Sequence, residues 1–87
     1  MKSFRLTVSS PDGNKFDGDV VKLDVRGTEG ELAIMAGHIP FVTSVIAGPV
    51  LIHFEDGDDR RAYSEGGLLT VSSERTILLS GTFKFDE

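Results

Sequence analysis

The spacing of glycine and proline limits this chain more than any other feature of its sequence. Ten glycines and three prolines are spread along 87 residues, and the longest stretch free of both runs from Leu68 to Ser80. That stretch contains threonine, serine, valine and isoleucine, which disfavour helix. Because no segment keeps a 3.6-residue apolar period, we expect an all-β protein, a β-sandwich or flattened barrel without a significant helix.

Alternation of apolar and polar residues places the first strands. Residues 4 to 9 and 20 to 26 alternate with a period of two, which is typical of strands with one buried face. Lys15-Phe16 is expected to be a very short strand between them. Ser10-Pro11-Asp12-Gly13 is a strong turn signal, and Asp56-Gly57-Asp58-Asp59 has the composition of a solvated hairpin loop.

The second half of the chain divides into further short strands. Phe41 to Ile46 is apolar enough to be a buried strand, which we expect to end at Ala47-Gly48-Pro49. This segment carries more apolar side chains than one buried face can use, so an exposed patch that includes Met35 is expected. Gly66-Gly67 is expected to turn the chain into a strand from Leu68 to Val71.

Composition sets the class of protein. At 87 residues we expect a single domain, residues 1–87, with a modest core. The formal net charge is −5 and Arg60-Arg61 is the longest basic run. Nucleic-acid binding needs a basic surface, so a nucleic-acid partner is not expected. There is no cysteine, which excludes disulfides and thiolate metal sites.

The segment from Gly27 to Phe41 contains the residues of greatest functional interest. Gly27 and Gly30 flank Thr28-Glu29 in a pattern that indicates a tight turn, and a second break at Gly37 and Pro40 follows a short apolar run. The segment presents two carboxylates, Glu29 and Glu31, and one of the two histidines, His38.

An enzyme is not expected. Glu29 and Glu31 could be an acid–base pair, but such a pair needs a cleft that a chain of this size rarely forms. The loop Asp56–Asp59 lacks the ligand spacing of a helix-loop-helix calcium site. Neither His38 nor His53 has a second ligand at metal-binding spacing, and His53 is expected to be a surface residue on a strand. No catalytic residue, metal or cofactor is predicted.

Several motifs together resemble the N-terminal β-domain of the epsilon subunit of F-type ATP synthases. The resemblance covers about residues 4 to 79. Its main motif is Gly27-x-x-Gly30-x-Leu32-x-Ile34-x-x-Gly37-His38-x-Pro40, supported by Gly48, Gly66-Gly67-Leu68-Leu69-Thr70-Val71, Phe4-Arg5-Leu6-Thr7-Val8 and Phe16-x-Gly18-x-Val20. Two residues depart from the pattern, Ala33 where the family usually has glycine and Ala36 where it usually has proline.

The resemblance implies a ten-stranded sandwich and a non-catalytic rotor subunit that fastens the gamma subunit to the c-ring. It places Thr28, Glu29, Gly30 and Glu31 towards the c-ring, and Ser10, His38 and Thr43 towards gamma. It implies structural turns at Gly27, Gly37, Pro40, Gly48, Gly66 and Gly67. The implied location is peripheral, on the cytoplasmic face of a bacterial inner membrane, with membrane contact through the complex.

Two alternatives stay open at this stage. One is a free-standing ligand-binding sandwich of the carbohydrate-binding type, and a weaker one is an accessory subunit of an unrelated enzyme. Most members of the family continue into a C-terminal helical hairpin. The ending Phe83-Lys84-Phe85-Asp86-Glu87 does not resemble the start of that hairpin, which favours a naturally short subunit over a shortened one.

Overall fold

The computed structural model describes residues 2–86, so both ends of the predicted 1–87 domain, Met1 and Glu87, lie outside it. The described residues form eight strands and no helix, which confirms the all-β prediction. The strands are β1 (Phe4–Ser10), β2 (Gly13–Val20), β3 (Lys22–Gly27), β4 (Gly30–Met35), β5 (Phe41–His53), β6 (Asp59–Val71), β7 (Thr76–Ser80) and β8 (Phe83–Phe85).

The strands pair in the order β2-β1-β7-β6-β5-β3-β4, with β8 paired to β6. β1 and β7 are parallel, whereas the other pairs are antiparallel. β5 and β6 are 13 residues long and pair with each other along most of their length. Because their two halves have different neighbours, these two strands belong to both layers of the sandwich.

The first layer contains β2, β1, β7, the C-terminal half of β6 and the N-terminal half of β5. The second contains β4, β3, the C-terminal half of β5, the N-terminal half of β6, and β8. The outermost strand of the first layer, β2, meets the second layer through Phe16. Its ring contacts the rings of Phe54 and Phe85, with centroids 5.9 and 6.2 Å apart. One cluster of buried side chains fills the space between the layers.

The expected turns at Gly48 and Gly66-Gly67 are wrong, since β5 and β6 continue through these glycines. Two predicted pairs of strands are therefore two long strands, which accounts for eight strands where the resemblance implied ten. β2 is also longer than the very short strand expected, at eight residues.

Close backbone approach explains the glycines of β6. Gly66 has a φ of +99°, and a Cβ on it would lie 2.6 Å from the carbonyl oxygen of Val45. A Cβ on Gly67 would lie 1.8 Å from the carbonyl oxygen of Leu79. A side chain at either position would therefore force apart strands that the fold holds together.

The core is aliphatic and follows the predicted alternation. Leu23 and Val25 of β3 are buried as expected, as is Val21 just before it. Other fully buried side chains come from both layers, among them Leu6, Val8, Ile34, Val50, Ile52, Leu69 and Leu78. β6 passes from the second layer to the first between Ser64 and Gly67, and we call this place the bend. Buried Ser64 and Ser80 hydrogen-bond each other beside it at 2.8 Å, so these polar groups are satisfied.

Candidate functional site

The turn between β3 and β4 is a tight hairpin, as the sequence predicted. Gly27 pairs with Gly30, and Thr28 and Glu29 form the turn. Gly30 has a φ of +126°, a conformation that favours glycine. Residues 28–31 are all exposed, and Gly27 is buried against the side chain of Leu32. We call residues 28–31 the acidic turn, after the carboxylates of Glu29 and Glu31. Neither carboxylate makes an ion pair with any described residue.

Two residues of β5 lie beside the acidic turn. Thr43 and residues 27–32 line a depression of about 110 Å³. Ile46 lines a neighbouring depression of about 260 Å³ with Arg26 and most of the turn. The structure therefore brings Thr43 to the acidic turn, although the resemblance placed the two towards different partners.

His38 lies in the loop of residues 36–40, at the other end of β4. Its ring packs on the ring of Phe41 with centroids 4.9 Å apart, and its Nδ1 lies 2.9 Å from the carbonyl oxygen of Ile39. Gly37 has a φ of +85°, so the predicted turn here is confirmed, and Pro40 ends the loop before β5. Ile39 is 78% exposed at the tip of this loop.

Ser10 is apart from the other predicted contact residues. It ends β1, and β7 and β6 lie between β1 and β5. Strands lie about 4.8 Å apart, so Ser10 and Thr43 are separated by roughly 15 Å across the sheet. Ser10 lies beside the turn between β1 and β2. By contrast, the other predicted contact residues lie near the two ends of β4 and the start of β5: the acidic turn, His38 and Thr43.

The hydroxyl of Ser10 has a local partner, the carboxylate of Asp12. This hydrogen bond, together with Lys15 Nζ at 2.9 Å, lowers the pKa of the Asp12 carboxyl from its ordinary 3.8 to about 2. On the same two strands Arg5 donates to Asp17 at 2.8 and 3.1 Å. That ion pair lowers the pKa of Asp17 and raises the pKa of Arg5.

Two rows of uncharged side chains cross four strands on the outer surface of the first layer, bordered by Arg5 of β1 and the charged residues of β2. Cross-strand rows run from Val42 through Thr70 and Ile77 to Thr7, and from Ser44 through Leu68 and Leu79 to Ser9. Val42 is 61% exposed, and Ile46, Leu68 and Leu79 are each more than 40% exposed. We call Val42, Ile46, Leu68, Ile77 and Leu79 the aliphatic face. Exposed apolar groups of this kind mark interaction surfaces.

The exposed patch expected from Phe41 to Ile46 is thus present, but Met35 is not part of it. Met35 is 49% exposed on β4, where it pairs with Lys22 in the second layer. Leu68 and Leu79 were missed because their place beside Val42 and Ile46 depends on the pairing of β5, β6 and β7. Local sequence does not contain that pairing.

The outer surface of the second layer is charged, in contrast to the aliphatic face. His53 Nε2 lies 2.7 Å from Asp24, and Nδ1 lies 2.9 Å from Asp59, so one ring links β3, β5 and β6. Lys22 and Arg61 lie on the same surface. His53 is on a strand surface as predicted, but its two carboxylate partners were missed. The hairpin predicted around residues 56–59 could have indicated one of these partners, because His53 and Asp59 pair across it.

These groups offer surfaces for contact with other molecules. Among residues 2–86 no three histidine, aspartate or glutamate side chains form a group that could hold a metal ion. Within the same residues there is no helix of the length and apolar character needed to cross a membrane. A depression of about 550 Å³ lies between the loop of residues 36–40 and residues 71–76, and its charged lining mixes arginine with acidic residues.

Comparison with known proteins adds the family. The pattern of the ATP synthase delta/epsilon chain β-sandwich domain matches residues 3–85. The epsilon chain of the sodium-ion-specific ATP synthase of Acetobacterium woodii is 37% identical over 86 residues, 99% of this chain and 65% of that one. The epsilon chain of Dichelobacter nodosus ATP synthase is 35% identical over 77 residues, 88% of this chain and 54% of that one. The chain thus spans less than two thirds of both relatives.

Solved structures show the same fold. A chain in the cryo-EM structure of the Euglena gracilis mitochondrial ATP synthase (OSCP, F1 and c-ring) superposes with a TM-score of 0.90 at 21% identity, covering 95% of this chain and 53% of that one. A chain in the central stalk and c-ring structure of the Tetrahymena thermophila mitochondrial ATP synthase gives 0.77 at 17% identity, covering 94% and 66%.

Proposed function

The chain belongs to the family of ATP synthase delta/epsilon chain β-sandwich domains, and from that premise we propose that it is a non-catalytic rotor subunit of an F-type ATP synthase. In this role residues 1–87 act as one domain that binds the gamma subunit and the c-ring. It thereby couples ion translocation to ATP synthesis or hydrolysis. Its place is peripheral, on the cytoplasmic face of a bacterial inner membrane, held there by the complex.

The observation that carries this proposal is the pair of adjoining surfaces. The uncharged aliphatic face and the acidic turn meet at Ile46, which is 42% exposed and lines a depression with residues 26–31. A stalk subunit that fastens two partners needs two different contact surfaces on one rigid body. This chain presents one apolar surface and one acidic surface, side by side.

The gamma subunit is proposed to cover the aliphatic face. Burial of apolar side chains contributes roughly 25 cal/mol per Å² to association, so partly exposed aliphatic residues in adjacent rows can stabilise a complex. His38 and Thr43 are the first and last residues of the segment 38–43, which contains Val42 of the aliphatic face. This position supports their proposed contact with gamma. Ser10 borders the face at its other end, beside Leu79.

The c-ring is proposed to contact Thr28, Glu29, Gly30 and Glu31. Both carboxylates are exposed and make no ion pair with residues 2–86, so they are available to a partner that presents basic or amide groups. Charge complementarity of this kind fixes orientation and excludes wrong partners more than it adds affinity.

A carbohydrate-binding role has less support. Proteins that bind sugars commonly stack them on exposed aromatic rings. Among residues 2–86 Tyr63 is the exposed aromatic side chain, at 47%, while the phenylalanines are buried or half-buried. One exposed ring on a charged sheet surface does not form a stacking platform.

The test is complex formation with the cognate gamma subunit on a sizing column. We expect Leu68→Asp to weaken the complex by about tenfold or more, because a carboxylate would be desolvated at the centre of the aliphatic face. Tyr63→Asp is the matched control, an equally exposed position in the second layer, and should leave binding unchanged. If the unmodified chain forms no complex with gamma, the rotor role is wrong. If both variants bind equally well, the interface is on another surface.

A further inference from the structure

Among residues 2–86, β2, β4 and β8 each have an edge with no strand beside it, as does the four-residue part of β5 from Phe41 to Ser44, and these edges differ in how well they are protected. β2 carries Lys15, Asp17 and Asp19, and its register with β1 shifts after Val8. β8 has three residues. Charges, irregular pairing and short length are the usual means by which proteins prevent pairing with other chains.

The edge of β4 has none of these protections along most of its length. Glu31 is its one charged residue, it contains no proline, and its register with β3 is regular from Gly30 to Met35. Six residues of extended backbone are therefore open to another strand. An exposed, regular edge of this length is a template for strand addition.

The pairing with β3 shows which backbone groups face outwards. Gly27 and Gly30 close the two-residue turn as a hydrogen-bonded pair, and pairs alternate between bonded and non-bonded from there. Leu32 and Ile34 therefore bond to β3, while the N–H and C=O groups of Glu31, Ala33 and Met35 point to the open edge. Of these outward groups, the Met35 carbonyl accepts a hydrogen bond from the His38 N–H at 3.2 Å.

We propose that β4 receives an extended segment of the gamma subunit, which pairs with the outward backbone groups of Glu31, Ala33 and Met35. This inference rests on the proposed function. The edge begins at the acidic turn and ends at the loop of residues 36–40, which leads directly into Val42 of the aliphatic face. Leu32 of β4 and Thr43 of β5 line the same depression, so a partner that covers the start of β5 can also reach this edge.

The exposed side chains of β4 define the chemistry of the incoming strand. Met35, which is 49% exposed at the end of β4 away from the acidic turn, accepts an aliphatic side chain. Ala33, between Met35 and that turn, is small and exposed, so a larger side chain of the partner fits over it. The incoming segment is thus apolar where it faces Ala33 and Met35.

Residue-resolved amide hydrogen exchange on the chain alone and in its complex with the cognate gamma subunit tests this pairing. We expect the amides of Glu31, Ala33 and Met35 to slow by roughly tenfold or more in the complex, whereas Leu32 and Ile34 change much less, because β3 already bonds them. If the complex forms and this alternation is missing, strand addition is wrong while the rotor role stands. If no complex forms, the rotor role fails and strand addition falls with it.

A matched pair of variants gives a second readout. Ala33→Pro removes an N–H that β3 does not use, so it is tolerated at an edge and should weaken gamma binding by about tenfold. Ala33→Ser keeps both the N–H and a small side chain and should bind as the unmodified chain does. Thermal melting shows whether Ala33→Pro is folded, and a folded Ala33→Pro variant that binds normally overturns the proposal.

Discussion

Gly67 lies between Val45 of β5 and Ser80 of β7, and it has no room for a side chain. A Cβ there would lie 1.8 Å from the Leu79 carbonyl oxygen, so two strands would have to separate. We expect Gly67→Ala to lower the free energy of unfolding by about 3 kcal/mol or more, which urea denaturation would measure.

Gly81 provides the matched control for Gly67. It lies at the same bend, its N–H donates to the Gly66 carbonyl at 3.1 Å, and a Cβ on it would meet nothing within 4 Å. Gly81→Ala should therefore stay within about 0.5 kcal/mol of the unmodified chain. Equal losses at both positions would mean that the flexibility of glycine, and not close approach, is what the bend requires.

The glycines of β6 also show where sequence reasoning ends at the scale of single residues. Glycine serves both turns and close backbone contacts, and its neighbours in sequence do not separate the two uses. At Gly27 and Gly30 the interpretation as a turn is confirmed, because a two-residue turn is local. At Gly66 and Gly67 it is wrong, because the reason for glycine is a strand that pairs from elsewhere in the chain.

At the scale of elements, the β1–β2 turn ties Ser10 to its own hairpin. The Ser10 hydroxyl is the largest cause of the low pKa of Asp12, about 2, and Lys15 contributes less. Because this pKa lies below the ordinary 3.8, the interaction stabilises the fold above about pH 3.8 and is lost as the pH falls towards 2. Ser10→Ala should raise the pKa of Asp12, as a carbon-detected NMR titration of its carboxyl group would show.

Ser9→Ala is the control for that titration, because the Ser9 hydroxyl contacts Asn14 and not Asp12. It should leave the pKa of Asp12 where it is. If Ser10→Ala also leaves it unchanged, Ser10 is free of the hairpin, and its hydroxyl is available to gamma as the resemblance implied.

The alternation of apolar and polar residues predicted most strands correctly. It could not predict which strands pair with one another. Residues 4–9 lie in β1 and residues 22–26 of the predicted 20–26 lie in β3, and residues 54–58 join β5 to β6. Contacts between elements were not predicted. The aliphatic face depends on the pairing of three strands, and the contacts of His53 depend on the register of β3, β5 and β6. These depend on long-range order that no local pattern contains.

At the scale of the whole molecule, two sheet surfaces of different character enclose one core. The first layer has the uncharged aliphatic face from β5 to β7 and charged residues on β1 and β2, whereas the outer surface of the second layer is charged. The aliphatic face is therefore the surface suited to burial. The acidic turn lies at the edge of the uncharged surface, beside Ile46 and Thr43. A partner on the aliphatic face and another at the turn would therefore be held within one rigid body.

The acidic turn can be tested in the assembled synthase. Glu29→Lys with Glu31→Lys should leave the melting temperature within a few degrees, since exposed charges contribute little to folding. If these carboxylates face the c-ring, the same double change should weaken attachment of the stalk to the membrane sector, because repulsion across a docking surface costs several kcal/mol. ATP-driven ion pumping in reconstituted membranes, with the amount of stalk retained, measures this.

Glu55→Lys with Glu74→Lys is the control for that experiment, because both residues are exposed glutamates outside the acidic turn and the change in net charge is the same. This variant should pump ions normally and keep its stalk. A loss of pumping in both variants would point to net charge as the cause. Normal pumping and stalk retention in the Glu29 and Glu31 variant would show that the acidic turn is a solvated hairpin end, and the c-ring would then have to contact another part of the molecule.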